Sequence, residues 1–274
     1  MAMSFRQFWL TTISGLFLTI FCGFCLAQQA QTSVDGAASS GKTKLTACAS
    51  NTPPFVIMTN GVGTAGYSFE LFQNIASQLG RSAEVRELPW ARCLLEVKSG
   101  EIDLAIDAYD DVERRKTYLY TNPYYTLTPQ IFYRANKHPP QLPAKTVKDL
   151  TLLKGCGVHE YTYEHYDIDA NVLDLGATDD LQMMNKLNYG RCDFAVEELE
   201  YIIGQRKYVP AWLDDSQIAS FRPTWARGPK LHFLIGKDLA NAGELQNSVN
   251  LAIEKATKSK YVDRLMKRYF QTGK

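Results

Sequence analysis

The spacing of apolar and polar residues along the chain predicts alternating strands and helices. Short stretches at 44–49, 83–88 and 102–106 have the length of strands. Between them, apolar residues recur at helical spacing, and each predicted helix stops at a glycine, Gly80 or Gly100. The last stretch is almost continuously apolar, which is typical of a strand buried on both faces of a parallel sheet. This order predicts a parallel sheet with crossover helices.

A second unit of the same kind follows a proline-rich connector at 138–143. Strands are predicted at 156–158 and 194–196, with an amphipathic helix between them. The segments 98–103 and 188–193 match in form, since each has a helix end, a glycine and an aspartate that opens a strand. We therefore predict an α/β fold of two lobes, each a mostly parallel sheet flanked by helices. A ligand cleft is expected between the lobes, at the carboxyl ends of the strands.

The N-terminal segment 1–27 has the composition of a signal peptide, which predicts export to the periplasm. Arg6 supplies a positive charge, an apolar run follows, and Ala27 or Ala30 offers a small residue for cleavage. The alternative is a retained membrane anchor, for which the run is a little short. Residues 28–43 are polar and small, which predicts a disordered linker. We place the first part of lobe 1 at 44–135, lobe 2 at 136–230 and the return to lobe 1 at 231–274.

Four cysteines follow the predicted signal peptide: Cys48, Cys93, Cys156 and Cys192. In an oxidising periplasm they favour disulfides over metal ligation or catalysis. Three connectivities are possible for four cysteines. We favour Cys48–Cys93 and Cys156–Cys192, because each pair then joins elements that are close in sequence and belong to one lobe.

The charge balance gives no electrostatic case for a nucleic-acid partner. The whole chain has a formal net charge of +1, and loss of Arg6 with the signal peptide leaves the mature chain neutral. A neutral chain without a basic run does not attract nucleic acid or an anionic membrane surface. No cofactor motif is evident, and the cysteine and histidine spacings do not form a metal site.

The order of short motifs resembles family 3 of the periplasmic solute-binding proteins, which deliver polar amino acids to ABC transporters. The matching motifs are Pro53-Pro54-Phe55, 66–71, Pro89-Trp90, 98–106, 112–114, 121–125, 190–193 and 266–270. Together they cover essentially the whole mature chain. The resemblance implies a type II periplasmic-binding-protein fold and a monomer that captures a small polar ligand by lobe closure. That ligand would be an amino acid or a related carboxylate or amine, passed to an ABC permease without catalysis.

The resemblance also assigns a charged grip on the ligand. Arg114 stands where the family has the arginine that binds the ligand carboxylate, and a guanidinium can make two charge-assisted bonds to one carboxylate. The alternative for Arg114 is a solvated cation in a charged run. Glu198 stands where the family has the acid that binds the ligand ammonium, and Glu197 is its rival.

The same motifs place three aromatic residues of the first lobe near the cleft: Phe55, Tyr67 and Trp90. In the second lobe, the bulkier and more aromatic turn 160–163, which contains Tyr161 and Thr162, stands where the family has a Gly-Thr-Thr type turn that meets the ligand. Aromatic faces can stack on a flat ligand or hold a cation. At least half of these rings are expected to be ordinary core, with Tyr67 and Tyr161 the favoured members of the site.

Three positions near the predicted ligand-binding residues need separate comment. Two of them differ from the family, and the side-chain orientation of the third is undecided. Tyr109 and Asp111 stand where the family has the serine and threonine that hold the α-carboxylate. An aspartate there repels a carboxylate unless it turns outward, which argues against a standard amino acid as the ligand. Arg92 follows Trp90 by two positions, and it faces either the cleft or solvent.

Two other functions remain open at this point. One is an enzyme on the same scaffold, similar to a cyclohexadienyl dehydratase, in which Glu198 or Glu197 acts as a general acid. The other is a sensory ligand-binding protein. The sequence contains no motif for a nucleophile, a catalytic metal or a phosphate-binding loop, which favours binding without chemistry.

Overall fold

Two β-sheets with six helices build the part of the chain that the computed structural model describes, residues 43–159, 161–208 and 217–270. The predicted signal peptide, and the predicted linker up to residue 42, lie outside the described residues. Within the described ranges, no helix has the length and apolar character needed to cross a bilayer.

The first sheet contains the strands predicted for lobe 1 and a late strand that returns to it. Its strands are β1 (Lys44–Ala49), β2 (Ile57–Thr59), β3 (Val62–Ala65), β4 (Ser82–Glu87), β5 (Leu104–Tyr109), β6 (Tyr118–Tyr120), β7 (Tyr125–Thr126) and β13 (Lys230–Gly236). The order is β2-β3-β4-β1-β5-β13-β6, with β7 paired to β13. The central strand β1 runs parallel to β4 and β5, as predicted, whereas β13 is antiparallel to β5.

Helices cover both faces of the first sheet. One face carries α1 (Tyr67–Gln78), α5 (Ala242–Lys258) and α6 (Tyr261–Phe270), and the other carries α2 (Trp90–Ser99). Successive residues of a strand point to opposite faces. Accordingly, Leu104 and Ile106 of β5 pack with the first group of helices, while Ala105 packs against α2.

The second sheet forms the other lobe. It contains β8 (Pro129–Arg134), β9 (Gly155–Val158), β10 (Leu173–Ala177), β11 (Phe194–Glu198) and β12 (Ile218–Phe221), in the order β10-β9-β11-β8-β12. Strands β9, β10 and β11 are parallel, and β8 is antiparallel to β11. Strand β8 thus pairs in the second sheet, although the predicted boundary at residue 135 counts it with the first lobe. The helices α3 (Asp180–Asn188) and α4 (Leu199–Tyr208) complete this lobe.

One disulfide lies in each lobe, with the pairing that was predicted. Cys48 of β1 joins Cys93 of α2, with Cα atoms 5.6 Å apart. Cys156 of β9 joins Cys192, just before β11, with Cα atoms 5.9 Å apart. Each bond therefore ties a central strand to the helix, or to the end of the helix, that covers it.

Two glycines allow close approaches that position the cleft. A Cβ on Gly66, whose φ is 118°, would overlap the carbonyl oxygen of Phe55. The loop before α1 can therefore lie directly on the start of that helix. A Cβ on Gly204 would overlap the carbonyl oxygen of Pro53, so this glycine lets α4 of the second lobe pack on the same loop. The two lobes are in contact here, and the rings of Phe55 and Tyr201 are 5.3 Å apart.

Candidate functional site

A cavity of about 100 Å³ lies between the two lobes. The first lobe contributes the end of β1 and the residues after it, the start of α2, the end of β5 and the turn that follows β5. The second lobe contributes the turn after β9 and the start of α4. The lining residues are Ala49, Ser50, Thr52, Trp90, Ile106, Asp107, Tyr109, Arg114, Tyr161, Thr162 and Tyr201. The cavity therefore lies at strand carboxyl ends, where the α/β architecture places ligands.

Five of the predicted site residues line this cavity: Trp90, Tyr109, Arg114, Tyr161 and Thr162. The guanidinium carbon of Arg114 lies 5.8 Å from the centre of the Trp90 ring, close enough for a cation–π interaction. Tyr161 is 43 % exposed, so one of its sides remains open to solvent. The structure thus brings the predicted arginine and four of its predicted neighbours together.

Asp111 does not line the cavity. Its carboxylate turns back on its own loop, where Oδ1 accepts a hydrogen bond of 2.7 Å from the backbone amide of Arg114. This bond holds the short 3₁₀ turn Arg114–Lys116 in place. The expected repulsion of a ligand carboxylate by Asp111 is therefore reduced, because the aspartate side chain is hydrogen-bonded to the backbone amide of Arg114.

Three other predicted residues lie outside the cavity lining. Phe55 and Tyr67 are fully buried in the core of the first lobe, and the Tyr67 hydroxyl donates to the carbonyl of Tyr124 at 2.9 Å. Arg92 is exposed and forms an ion pair of 2.6 Å with Glu96. Two positions along a helix correspond to a rotation of about 200°, so Arg92 points away from Trp90 and toward solvent.

Glu198 lies behind the cavity wall instead of in it. This carboxylate, at the end of β11, is only 3 % exposed. Its Oε2 accepts a hydrogen bond of 2.9 Å from the hydroxyl of Tyr109, and its Oε1 lies 2.6 Å from Nε2 of His165. Burial opposes ionisation, but the hydrogen bonds from His165, from the side chain of Glu197 and from Tyr109 together outweigh it and lower the pKa of Glu198 below its ordinary value. Since Tyr109 belongs to β5, this hydrogen bond links the two lobes.

The rival acid, Glu197, is fully buried in the second lobe. Its Oε1 accepts a hydrogen bond of 2.9 Å from the backbone amide of Glu198, and its carboxyl group lies in hydrogen-bonding contact with the carboxyl groups of Asp180 and Glu198. Burial, together with the nearby carboxyl of Asp180, raises the pKa of Glu197 well above its ordinary value. Neither acid lines the cavity, but Glu198 accepts a hydrogen bond from the lining residue Tyr109.

The most informative lining residue that the sequence interpretation missed is Asp107, on β5. Its backbone has a left-handed conformation, with φ of 63°. Oδ1 accepts hydrogen bonds from the hydroxyls of Ser68, at 2.5 Å, and Tyr124, at 2.7 Å. Oδ2 is buried without a partner among the described residues. Burial raises the pKa of Asp107 to about 6, although the two hydroxyls act in the opposite direction. The available signal was an aspartate inside the apolar run Leu104–Tyr109.

Five further lining residues were also missed: Ala49, Ser50, Thr52, Ile106 and Tyr201. Ser50 and Thr52 follow β1, directly before the Pro53-Pro54-Phe55 motif, from which only Phe55 was predicted to be a site residue. Tyr201 lies on α4 and is largely buried. Its approach to the first lobe depends on how the lobes meet, which no local sequence pattern indicates.

Comparison with known proteins gives one match to a family model. The model described as bacterial extracellular solute-binding proteins, family 3, matches residues 45–272. The match therefore covers both sheets, apart from the first residue of β1, and all six helices.

Two curated relatives and one solved structure illustrate the similarity. The probable ABC transporter arginine-binding protein ArtJ of Chlamydia trachomatis is 23 % identical over 186 residues, which cover 66 % of this chain and 69 % of that protein. The membrane-bound lytic murein transglycosylase F of Pseudomonas putida is 26 % identical over 218 residues, 76 % of this chain but only 42 % of that enzyme. An ancestral arginine-binding protein bound to arginine has a TM-score of 0.67 at 20 % identity, covering 84 % of this chain and 99 % of that one.

Proposed function

Because the chain belongs to family 3 of the bacterial extracellular solute-binding proteins, we propose that it captures a small polar ligand between its lobes and delivers it to an ABC permease. The observation that carries this proposal is the cavity lined by both lobes. A ligand that contacts both lobes binds the closed form more tightly than the open form, and so shifts the population toward closure. A permease that recognises the closed form then receives loaded protein.

Arg114 is the residue proposed to hold the anionic group of the ligand. It lines the cavity, and its side chain forms no ion pair within the described part of the chain. A guanidinium that is free of protein carboxylates and faces a cleft fits a ligand carboxylate bidentately. The arginine-binding relatives support an amino acid or a related carboxylate or amine as the ligand class.

The size of the cavity limits the ligand. A volume of about 100 Å³ corresponds to on the order of eight water-sized groups, since one water needs ~10–15 Å³ in this measure. This size supports a small amino acid, or a carboxylate of similar size, as the ligand. The rings of Trp90, Tyr109, Tyr161 and Tyr201 would cover its apolar surface.

We propose further that the protein acts as a periplasmic monomer, released by cleavage of residues 1–27, and that it binds its ligand without chemistry. The two candidates for a general acid both lie outside the cavity lining. Glu197 is buried in the second lobe, and Glu198 is buried and hydrogen-bonded to Tyr109 and His165. The match to the transglycosylase covers less than half of that enzyme, so its activity does not transfer to this chain.

The test is a thermal-shift screen of amino acids, small carboxylates and amines, followed by titration calorimetry of the hits. A ligand at 100 times its Kd adds ~2.7 kcal/mol to the free energy of unfolding. Arg114→Ala should weaken binding of a carboxylate hit by about tenfold or more. The matched control is Arg115→Ala, because Arg115 is exposed and paired with Asp110 at 2.6 Å. Equal losses in both variants would contradict the assignment, and conversion of the hit followed by NMR would refute binding without chemistry.

A further inference from the structure

We propose that the cationic nitrogen of the ligand binds Asp107 of the first lobe, and that Glu198 of the second lobe does not contact it. The ligand is then a zwitterion whose carboxylate meets Arg114 and whose ammonium meets Asp107. This inference rests on the proposed function, in that it names the ligand class of the same cavity. It assigns the cation to a carboxylate that the sequence did not single out.

The first argument is that Glu198 is already occupied. Both of its carboxylate oxygens have partners, the Tyr109 hydroxyl on one side and His165 on the other. The group is nearly fully buried and does not line the cavity. A ligand ammonium could reach it only by displacing Tyr109, which would break a hydrogen bond between the lobes.

The second argument is that Asp107 has one oxygen held and the other free. The hydroxyls of Ser68 and Tyr124 both donate to Oδ1 and orient the carboxyl group. Oδ2 has no donor among the described residues, although it is buried. A buried carboxylate oxygen without a donor is unfavourable, and a ligand N–H group at the cavity wall would satisfy it.

The third argument is the charge of the cavity. Among its lining residues, Arg114 is the one cation and Asp107 the one anion. A zwitterionic ligand is complementary to this pair, whereas a simple carboxylate or a simple amine would leave one of the two charges uncompensated.

The fourth argument is the backbone of Asp107. A left-handed conformation in a strand is uncommon for a residue other than glycine, and aspartate tolerates it better than most. Backbone strain of this kind concentrates at binding sites, where the surrounding structure maintains it. The amide of Asp107 donates to the Tyr124 hydroxyl at 2.9 Å, so the same tyrosine holds both the backbone and the side chain.

The experiment compares each of the twenty standard amino acids with its analogue that lacks the α-amino group, using titration calorimetry on the mature protein. The wild type should bind the best amino acid about tenfold or more tightly than its deaminated analogue. Asp107→Asn should remove this preference. It should weaken binding of the amino acid, and it should leave the Kd of the deaminated analogue within about threefold of the wild-type value. Asparagine tolerates the left-handed backbone, and Asp107→Ser serves as a second neutral variant if Asp107→Asn does not fold.

Two further variants complete the design. Asp110→Asn is the matched control, since Asp110 is exposed and outside the cavity, and it should keep the wild-type preference. Glu198→Gln should also keep it. If Glu198→Gln removes the preference while Asp107→Asn keeps it, the inference is wrong and the proposed function stands. The same conclusion follows if amino acids and their deaminated analogues bind equally to the wild type. If neither class binds, both the inference and the proposed ligand class are refuted.

Discussion

The hydrogen bond from Tyr109 to Glu198 joins the first lobe to the second, and Tyr109→Phe removes it while keeping the aromatic ring. The donor and acceptor are 2.9 Å apart, and the acceptor is a nearly fully buried carboxylate. A hydrogen bond to a charged group contributes about 1.5–3 kcal/mol to stability. We therefore expect the free energy of unfolding to fall by that amount, with His165 left as the remaining partner of Glu198.

The pH dependence of this loss has a definite sign. Because the pKa of Glu198 is lowered in the folded protein, its hydrogen bonds stabilise the fold above the unfolded pKa of about 4.3. That stabilisation is lost as the pH falls through the folded pKa. The difference between Tyr109→Phe and the wild type should therefore be largest near neutral pH and shrink as the pH drops below about 4.

Urea denaturation at neutral and acidic pH measures this effect. The matched control is Tyr118→Phe, because the Tyr118 hydroxyl donates at 2.8 Å to a neutral acceptor, the carbonyl of Leu94, within one lobe. Its loss should be about 0.5–1.5 kcal/mol and independent of pH in this range. The reasoning is refuted if Tyr109→Phe costs no more than Tyr118→Phe, or if its cost is the same at both pH values.

Two other predictions concern stability. Glu197→Gln should raise the free energy of unfolding by about 1 kcal/mol near neutral pH, because burial and Asp180 raise the pKa of Glu197. A raised carboxyl pKa makes the wild type lose stability as the pH rises above the unfolded value, and the variant should flatten that slope in urea melts; a variant less stable than the wild type would contradict this. Replacing both Cys156 and Cys192 with serine, which opens a loop with a sequence separation of 36, should cost about 4 kcal/mol in the same assay. A cost below about 1 kcal/mol would show that the bond does not constrain the unfolded chain.

Several features of the fold could be predicted because they depend on short stretches of sequence. The strands β1, β4 and β5 and the helices between them follow from local periodicity and from the glycines that end the helices. The disulfide pairing followed from the same order, since each bond joins neighbouring elements of one lobe. The pairing of β8 with the second sheet was not predictable in this way, because it depends on partners more than fifty residues away.

Some residues of the candidate site could likewise be predicted from short motifs, and others could not. The position of Arg114 after β5 was evident from a short motif, and the structure places it in the cavity wall. Phe55 and Tyr67 were selected by motifs of the same kind, but they are core residues. A motif shows that a residue lies near the carboxyl end of a strand. It does not show whether the side chain points to the cavity or into the lobe, because that depends on packing.

By itself, the sequence determined the α/β class, the two-lobed organisation, the cysteine pairs and the place of the cavity arginine. Each of these depends on periodicity or on motifs within one segment. Only the tertiary structure decided that Glu198 is engaged by Tyr109 from the other lobe, and that Asp107 lines the cavity with one oxygen held by Ser68 and Tyr124. The physical reason is that charge and hydrogen bonding in a cleft depend on which distant segments come into contact there. Those contacts are decided by the packing of helices and strands against one another.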